Sequence, residues 1–218
     1  MGGLNAEEEA RSLMPYSSTL AAALGGVTES QLAHWRRKPN PLLAPEVSSR
    51  PRVRYSFRDL LAIRTMARLR TEVSLQKIRK AVANLKDLGD FEHLSHYQLV
   101  ADGDSIVWIG DQTVDVLKRP GQQVLVAMRD VLGEFVGRTG DTVVPLARPK
   151  PGVRIDPLVL GGFPVIEESR VPYDTVASLA EEGFDADAIR RFYPSVSDIG
   201  VTGAVAFDRY VREYGKTA

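Results

Sequence analysis

Apolar positions recur with helical spacing in the first third of the chain and again near its end, with β-type runs between. Leu20, Ala21 and Leu24 form a short apolar face that stops at Gly25-Gly26, a pair able to take the positive φ of a tight turn. Thr28 then stands where a helix N-cap belongs, ahead of Leu32 and Trp35 at a three-residue spacing. After a Pro-rich, Arg-studded stretch from Lys38 to Arg54, the positions Leu60, Ile63, Met66, Ala67 and Leu69 mark an amphipathic helix. Ser74 reads as the cap of another, with Leu75, Ile78, Val82 and Leu85 on one face.

The pattern changes after Leu88. Tyr97–Val100, Ile106–Ile109 and Val114–Leu117 are β-prone runs separated by Asp-Gly-Asp and Gly-Asp-Gln, which predicts a three-stranded meander. Leu125, Met128, Leu132 and Phe135 return to helical spacing. Residues 139–152 contain Pro145, Pro149 and Pro151 and read as a linker. The remainder predicts a strand around Gly162–Ile166 and three short helices: Pro172–Glu182, Asp185–Phe192 and Ser197–Tyr214. The expected fold is mainly α with a small β component. It divides into a flexible tail (1–14), an N-terminal helical unit (15–88), a central meander plus helix (89–138), the linker, and a C-terminal three-helix unit (153–218).

Charge changes this picture. The 218-residue chain is neutral overall, yet residues 28–80 carry 13 Lys/Arg against 4 acids, a net +9. From Asp87 onward 13 basic residues face 21 acidic ones, a net −8. A basic lobe tied to an acidic body is the electrostatic footprint of a nucleic-acid-binding head joined to a part with another task. The absence of cysteine excludes disulfides, thiolate metal sites and cysteine nucleophiles. No run approaches the roughly 20 apolar residues of a membrane helix, and the acidic opening MGGLNAEEEA does not read as a secretory signal, so a cytoplasmic protein is expected.

A helix, a Gly-Val turn and a Thr-capped second helix give the layout of a helix-turn-helix, whose second helix enters the major groove. That second helix runs into Arg36-Arg37-Lys38, and Arg50-x-Arg52-x-Arg54-Tyr55 follows on a loop, where basic side chains can straddle phosphates. The order Tyr16-Ser17, Ala22, Leu24, Gly26-Val27-Thr28, Leu32, Trp35, then Arg54-Tyr55-Ser56, Asp59-Leu60, then Val73-Ser74-Leu75 and Ile78 resembles the winged-helix domain of MerR-type regulators. The resemblance covers about residues 16–86. It implies that Ser30, Gln31 and His34 face DNA and that Arg54 and Tyr55 lie on or near the backbone, with Arg36, Arg37, Lys38, Arg52 and Arg58 as further DNA-binding candidates. Where that family usually has Arg-Tyr, this chain has Ala33-His34.

In the last segment, Gly161-Gly162 permits a tight turn into a strand and Pro172 suits a helix start. Asp156-Pro157, Gly161-Gly162-Phe163-Pro164-Val165-Ile166 and Ser169-Arg170-Val171-Pro172 open a run continued by Gly183-Phe184-Asp185, Tyr193-Pro194 and Ser197-Asp198-Ile199. The run resembles a small helical domain of undefined function found in VapB-type antitoxins, commonly encoded beside PIN-like ribonuclease toxins. The usual basic R-G-T-R is here Glu167-Glu168-Ser169-Arg170, and from Val153 onward 7 basic residues face 11 acids. A protein partner or a dimer mate therefore suits this segment better than DNA. Arg170, Arg190, Arg191, Arg209 and Arg212 are candidates for toxin binding, since an arginine can insert among the clustered carboxylates of a PIN-type site.

The remaining chemistry is sparse. His93 and His96 form H-x-x-H beside Asp90 and Glu92, a pair more often structural than ligating. Asp102, Asp104, Asp111 and Asp115 sit at predicted turns, where Asp bonds locally. Phosphate-cradling, nucleophile-elbow and dinucleotide fingerprints are absent, so no enzyme activity, cofactor or metal is expected. The reading is an antitoxin that neutralises a PIN-like ribonuclease toxin and represses its own operon by binding operator DNA, as a homodimer or a hetero-oligomer with toxin and away from membranes. Two alternatives stay open: a stand-alone effector-responsive MerR-like repressor with a pocket in the 97–138 region, and a scaffold whose basic head is merely solvated.

Overall fold

The computed structural model describes residues 14–39, 41–87, 98–102, 105–109, 114–115, 132–138, 140–214 and 216, with backbone alone at 84–87 and in the strands between 98 and 115. The expected tail up to residue 13, the His93 and His96 pair, Asp104, Asp111 and most of the helix expected from Leu125 lie outside these residues.

Local chemistry sets the ends of the first helices. Helix α1 (Ser18–Gly25) begins where Ser17 Oγ accepts the Leu20 N–H and ends at Gly26, in the left-handed region at φ 78°. Helix α2 (Glu29–Trp35) opens on a reciprocal capping box between Thr28 and Gln31, and α3 (Phe57–Glu72) on a second one between Ser56 and Asp59. Helix α4 (Leu75–Asp87) follows with the Ser74 hydroxyl accepting the Lys77 N–H at 3.3 Å. Gly25 is the point of closest approach between α1 and α3: a Cβ there would lie 2.3 Å from Ile63 Cγ2.

The meander forms in the expected order. Strands β1 (Gln98–Asp102), β2 (Ser105–Ile109) and β3 (Val114–Asp115) pair antiparallel, with Gln98 opposite Ile109 and Trp108 opposite Val114. Phe135 departs from its helical spacing. It opens β4 (Phe135–Val136), paired with β5 (Thr142–Val143) across a turn in which Gly140, at φ 87°, donates to the Gly137 carbonyl at 3.0 Å. The Pro-rich 139–152 stretch also behaves differently from a free linker. Val143, Val144 and Leu146 are buried, and the Ile155 N–H bonds the Ala147 carbonyl at 2.9 Å. Prolines hold this stretch extended, and the apolar side chains between them supply the packing that pins it down.

Strands β6 (Val153–Arg154) and β7 (Val165–Ile166) form a third antiparallel pair. The strand expected to start at Gly162 starts at Val165, because Leu160, Gly161 and Gly162 all take positive φ in a short 3-10 turn. Helices α5 (Tyr173–Glu181), α6 (Ala186–Phe192, capped by Asp185) and α7 (Asp198–Glu213, capped by Ser197) lie within two residues of their expected bounds. None of the described helices is long and apolar enough to cross a membrane.

Buried side chains of the described helices and of β4 to β7 form one continuous core. Tyr173, Phe207 and Val211 from the C-terminal helices join Leu24, Leu32 and Ile63 of the head through Val143 and Phe163. A fully buried cation, Arg64 of α3, sits among them. Its guanidinium donates to the carbonyls of Leu24, of Gly133 at 2.7 Å and of Val144 at 3.2 Å, and lies 5.2 Å from the centre of the Phe135 ring. Burial pushes its pKa down to about 10, which leaves it charged at neutral pH. Each buried carbonyl stripped of its donor costs roughly 1–3 kcal/mol. Arg64→Met is therefore expected to destabilise the whole chain by more than about 3 kcal/mol in chemical denaturation, and Arg64→Lys to recover only part of that stability, having no fork to span three acceptors.

Candidate nucleic-acid interface

Helix α2 buries Leu32 and Trp35, so its opposite face is outward by geometry. Ser30, Ala33 and His34 are exposed there and follow the spacing i, i+3, i+4 of a single stripe, and Arg37 is exposed just past the end of the helix. Ser30 and His34 thus stand where a groove-reading helix needs them. Gln31 does not: it is half-buried, and its Oε1 accepts the Thr28 N–H at 3.0 Å as part of the capping box. The signature that starts the helix consumes the side chain expected to read DNA.

Arg36 and Tyr55 are also withdrawn from the surface role expected of them. Tyr55 is fully buried, and its hydroxyl takes a hydrogen bond from Arg36, whose guanidinium lies 5.9 Å from the ring centre. Burial pushes the Tyr55 phenol up and the Arg36 charge pulls it back less. Arg36 is half-buried at the C-cap of α2, so the pair is a strut between α2 and the chain entering α3.

The loop before α3 forms the wing. Ser48 and Arg54 exchange backbone hydrogen bonds of 3.3 and 2.9 Å, and Tyr16 and Tyr55 exchange a second pair of 2.9 and 3.0 Å. Arg50 and Arg52 are exposed between the two strand-like arms, and Arg54 is half-buried at the base. The wing is anchored by Asp59, which is fully buried: its Oδ2 accepts both the Ser56 N–H at 2.9 Å and the Glu46 N–H at 3.0 Å. Ser56 in turn donates to Glu46 Oε2 at 2.6 Å, while Arg58 pairs with Glu46 Oε1 at 3.5 Å. Arg58 is therefore engaged with an acid rather than presented to a phosphate.

Among the described residues Arg37, Lys38, Arg50 and Arg52 make no ion pair, and all four are exposed. They flank the Ser30–His34 stripe in sequence, two at its end and two on the wing. Free cations beside an outward helical stripe can bond phosphates while the stripe meets base edges.

The C-terminal candidates divide in the same way. Arg190 is held by Asp187 and Asp198, and Arg212 by Glu181 (2.7 Å) and Asp208 (2.6 Å), whereas Arg170, Arg191 and Arg209 are exposed outside those pairs. Arg209 and Arg212 line a cleft of about 340 Å³ between α5 and α7, together with Glu181, Asp208 and Glu213. Beyond it, Phe184 and Phe192 contact edge to face at 6.0 Å, with Phe192 62% and Ile199 64% exposed.

Sequence reasoning missed three functional supports. Asp59 was signalled by S-x-x-D ahead of an apolar run, which marks a cap but not the bond to Glu46. Arg64 stood out as a cation within the apolar spacing of α3. Nothing local pointed to Tyr210, whose hydroxyl donates to Ala23 O at 3.0 Å across 187 positions of sequence.

Comparison with known proteins agrees with this arrangement at both ends. Residues 16–85 match the family model described as MerR HTH family regulatory protein, and residues 153–207 match the one described as protein of unknown function (DUF433). No curated protein and no solved structure matches the chain. The chain carries a MerR-family helix-turn-helix domain, of the kind that binds DNA in regulation, followed by a DUF433 domain.

Proposed function

We propose that this chain is an antitoxin-type transcriptional regulator: its helix-turn-helix head binds operator DNA and represses its own operon, and its C-terminal domain binds and silences a PIN-like ribonuclease toxin. The observation that carries the DNA half is the exposed stripe Ser30–Ala33–His34 flanked by four exposed cations, Arg37, Lys38, Arg50 and Arg52, that no described acid neutralises. A seven-residue recognition helix spans one half-site, which suits a homodimer on an inverted repeat or a complex in which toxin brings two heads together.

Support for the toxin half is chemical. The C-terminal segment is net acidic, which opposes DNA contact, and it exposes the Phe184–Phe192 pair with Ile199 where a protein interface would place its apolar anchors. Arg170, Arg191 and Arg209, rather than the paired Arg190 and Arg212, are the arginines available to enter a carboxylate cluster on the toxin. The proposal assigns no reaction to the chain itself.

Arg37→Ala with Arg52→Ala is expected to weaken binding to every DNA sequence alike. In titrations at several salt concentrations the salt slope should flatten by about 0.9 for each phosphate that is no longer neutralised. Arg36→Ala should behave differently, lowering Tm by removing the Tyr55 strut while its salt slope stays near that of the parent. Co-expression with the neighbouring reading frame, tagging only the neighbour, tests the other half: the pair should elute together, and Phe184→Ser with Phe192→Ser should release this chain with its Tm unchanged. A neighbour without ribonuclease activity, or one that never binds, would overturn the antitoxin reading and leave DNA binding intact.

A further inference from the structure

The last carbonyls of a helix lack intrahelical donors and must be satisfied some other way. At the end of α1 the Ala22 carbonyl accepts from Gly26 and from Val27 (3.1 Å). Those of Ala23 and Leu24 are next, and both residues are fully buried, so water does not reach them. Arg64 supplies the donor for Leu24, from within the head. The donor for Ala23 comes from the other domain: the Tyr210 hydroxyl of α7, at 3.0 Å. The same oxygen accepts the Val144 N–H at 3.4 Å, so a single hydroxyl ties α7, α1 and the end of β5 together. Burial raises the phenol's pKa to about 12, which keeps it a donor throughout the physiological range.

Only Gly26 and Val27 separate this end of α1 from the Thr28 cap of α2. A shift at Ala23 is therefore passed through the last turn of α1 and a two-residue link to the recognition helix. A second contact fixes the same pair of domains: Tyr16 donates to the Gly162 carbonyl, and a Cβ on Gly162 would meet the Phe57 ring at 2.6 Å.

We propose that Tyr210 is a positioning residue for DNA recognition, and that α7, where it runs on past the DUF433 match, serves as the missing cap of the helix-turn-helix, holding α1 and hence α2 at its reading angle. This rests on the DNA-binding reading above. The C-terminal helix is then part of the head as well as of a candidate partner surface.

The test uses the full chain and a duplex of the DNA upstream of its own reading frame. Tyr210→Phe keeps the ring, which packs on Phe207 and lies under Lys150, and removes only the hydroxyl. Tyr214→Phe, one turn on, is the matched control, because its buried hydroxyl has no hydrogen-bond partner among the described residues. Tyr210→Phe is expected to bind about three- to tenfold more weakly, measured well below its Tm, with an unchanged salt slope. Tyr214→Phe should bind as the parent does.

Parent-like binding by Tyr210→Phe overturns the proposal, as does equal weakening in the two variants that follows their Tm values. If the parent itself binds no DNA, the DNA-binding reading fails and this inference with it. Amide exchange on the unsubstituted protein provides a check that needs no variant. Bound DNA should slow exchange across Ala206–Val211 of α7 as well as in α1 and α2, since coupling is reciprocal. Protection that stops at α2 would also overturn the proposal.

Discussion

The guanidinium of Arg64 is the constraint on which the remaining structure depends. It lies where α1 ends, where β4 begins and where the chain leaves β5, and it meets a carbonyl from each of those places. A buried cation is costly, and it persists because three backbone dipoles and the face of Phe135 replace its shell of water. No aliphatic side chain could satisfy those carbonyls, and a lysine ammonium could not reach them as a fork. The hairpin of β4 and β5 thus covers the helix-turn-helix, and through Val143 and Val144 it forms the floor on which the C-terminal domain sits.

The head separates structural charge from available charge. Its net +9 suggests a uniformly basic surface. In the folded chain Arg64 is inside the core, Arg36 braces Tyr55, Arg58 meets Glu46 and Arg68 lies 5.9 Å from the centre of the Phe135 ring. Of what remains toward solvent, Arg37, Lys38, Arg50 and Arg52 cluster after α2 and on the wing, while Lys80 is exposed on α4. This concentration matters more than the total, because phosphate contacts position a protein only where cations lie at the edges of a groove. The carboxylate of Asp59 serves the same end by joining the start of α3 to the base of the wing, so the loop bearing Arg50 and Arg52 is held by a buried acid.

On the C-terminal side the ion pairs of Arg190 and Arg212 lie at the surface, where such pairs add little to stability. Arg212 shapes the charge of the α5–α7 face, Arg190 ties α6 to the start of α7, and the aromatic pair Phe184–Phe192 is exposed at the two ends of α6. The tyrosines Tyr173, Tyr210 and Tyr214 occupy the opposite side of the same helices, turned toward the head.

All seven helices were legible as apolar faces, and α5 to α7 to within a residue of their bounds, because helix ends are local: Ser17, Thr28, Ser56, Asp185 and Ser197 cap five of them, and Gly26 ends the first. The meander followed from its β-prone runs for the same reason, while the outward placement of Ser30 and His34 was what the resemblance to MerR-type regulators implied. Phe135 escaped that logic, since a helical spacing yielded to a glycine turn and a strand partner. The linker reading of 139–152 failed because proline signals only restriction of φ, while Val143, Val144 and Leu146 find a core that no window of sequence contains. Likewise Arg36 and Tyr55 have the side chains of DNA ligands, and only the packed structure assigns them to a strut. Sequence alone thus determined the elements and the sign of the head's charge, both set by neighbours a few residues apart. Tertiary structure decided which cations stay free and which hydroxyl caps α1, because those outcomes depend on groups brought together from up to 187 positions away.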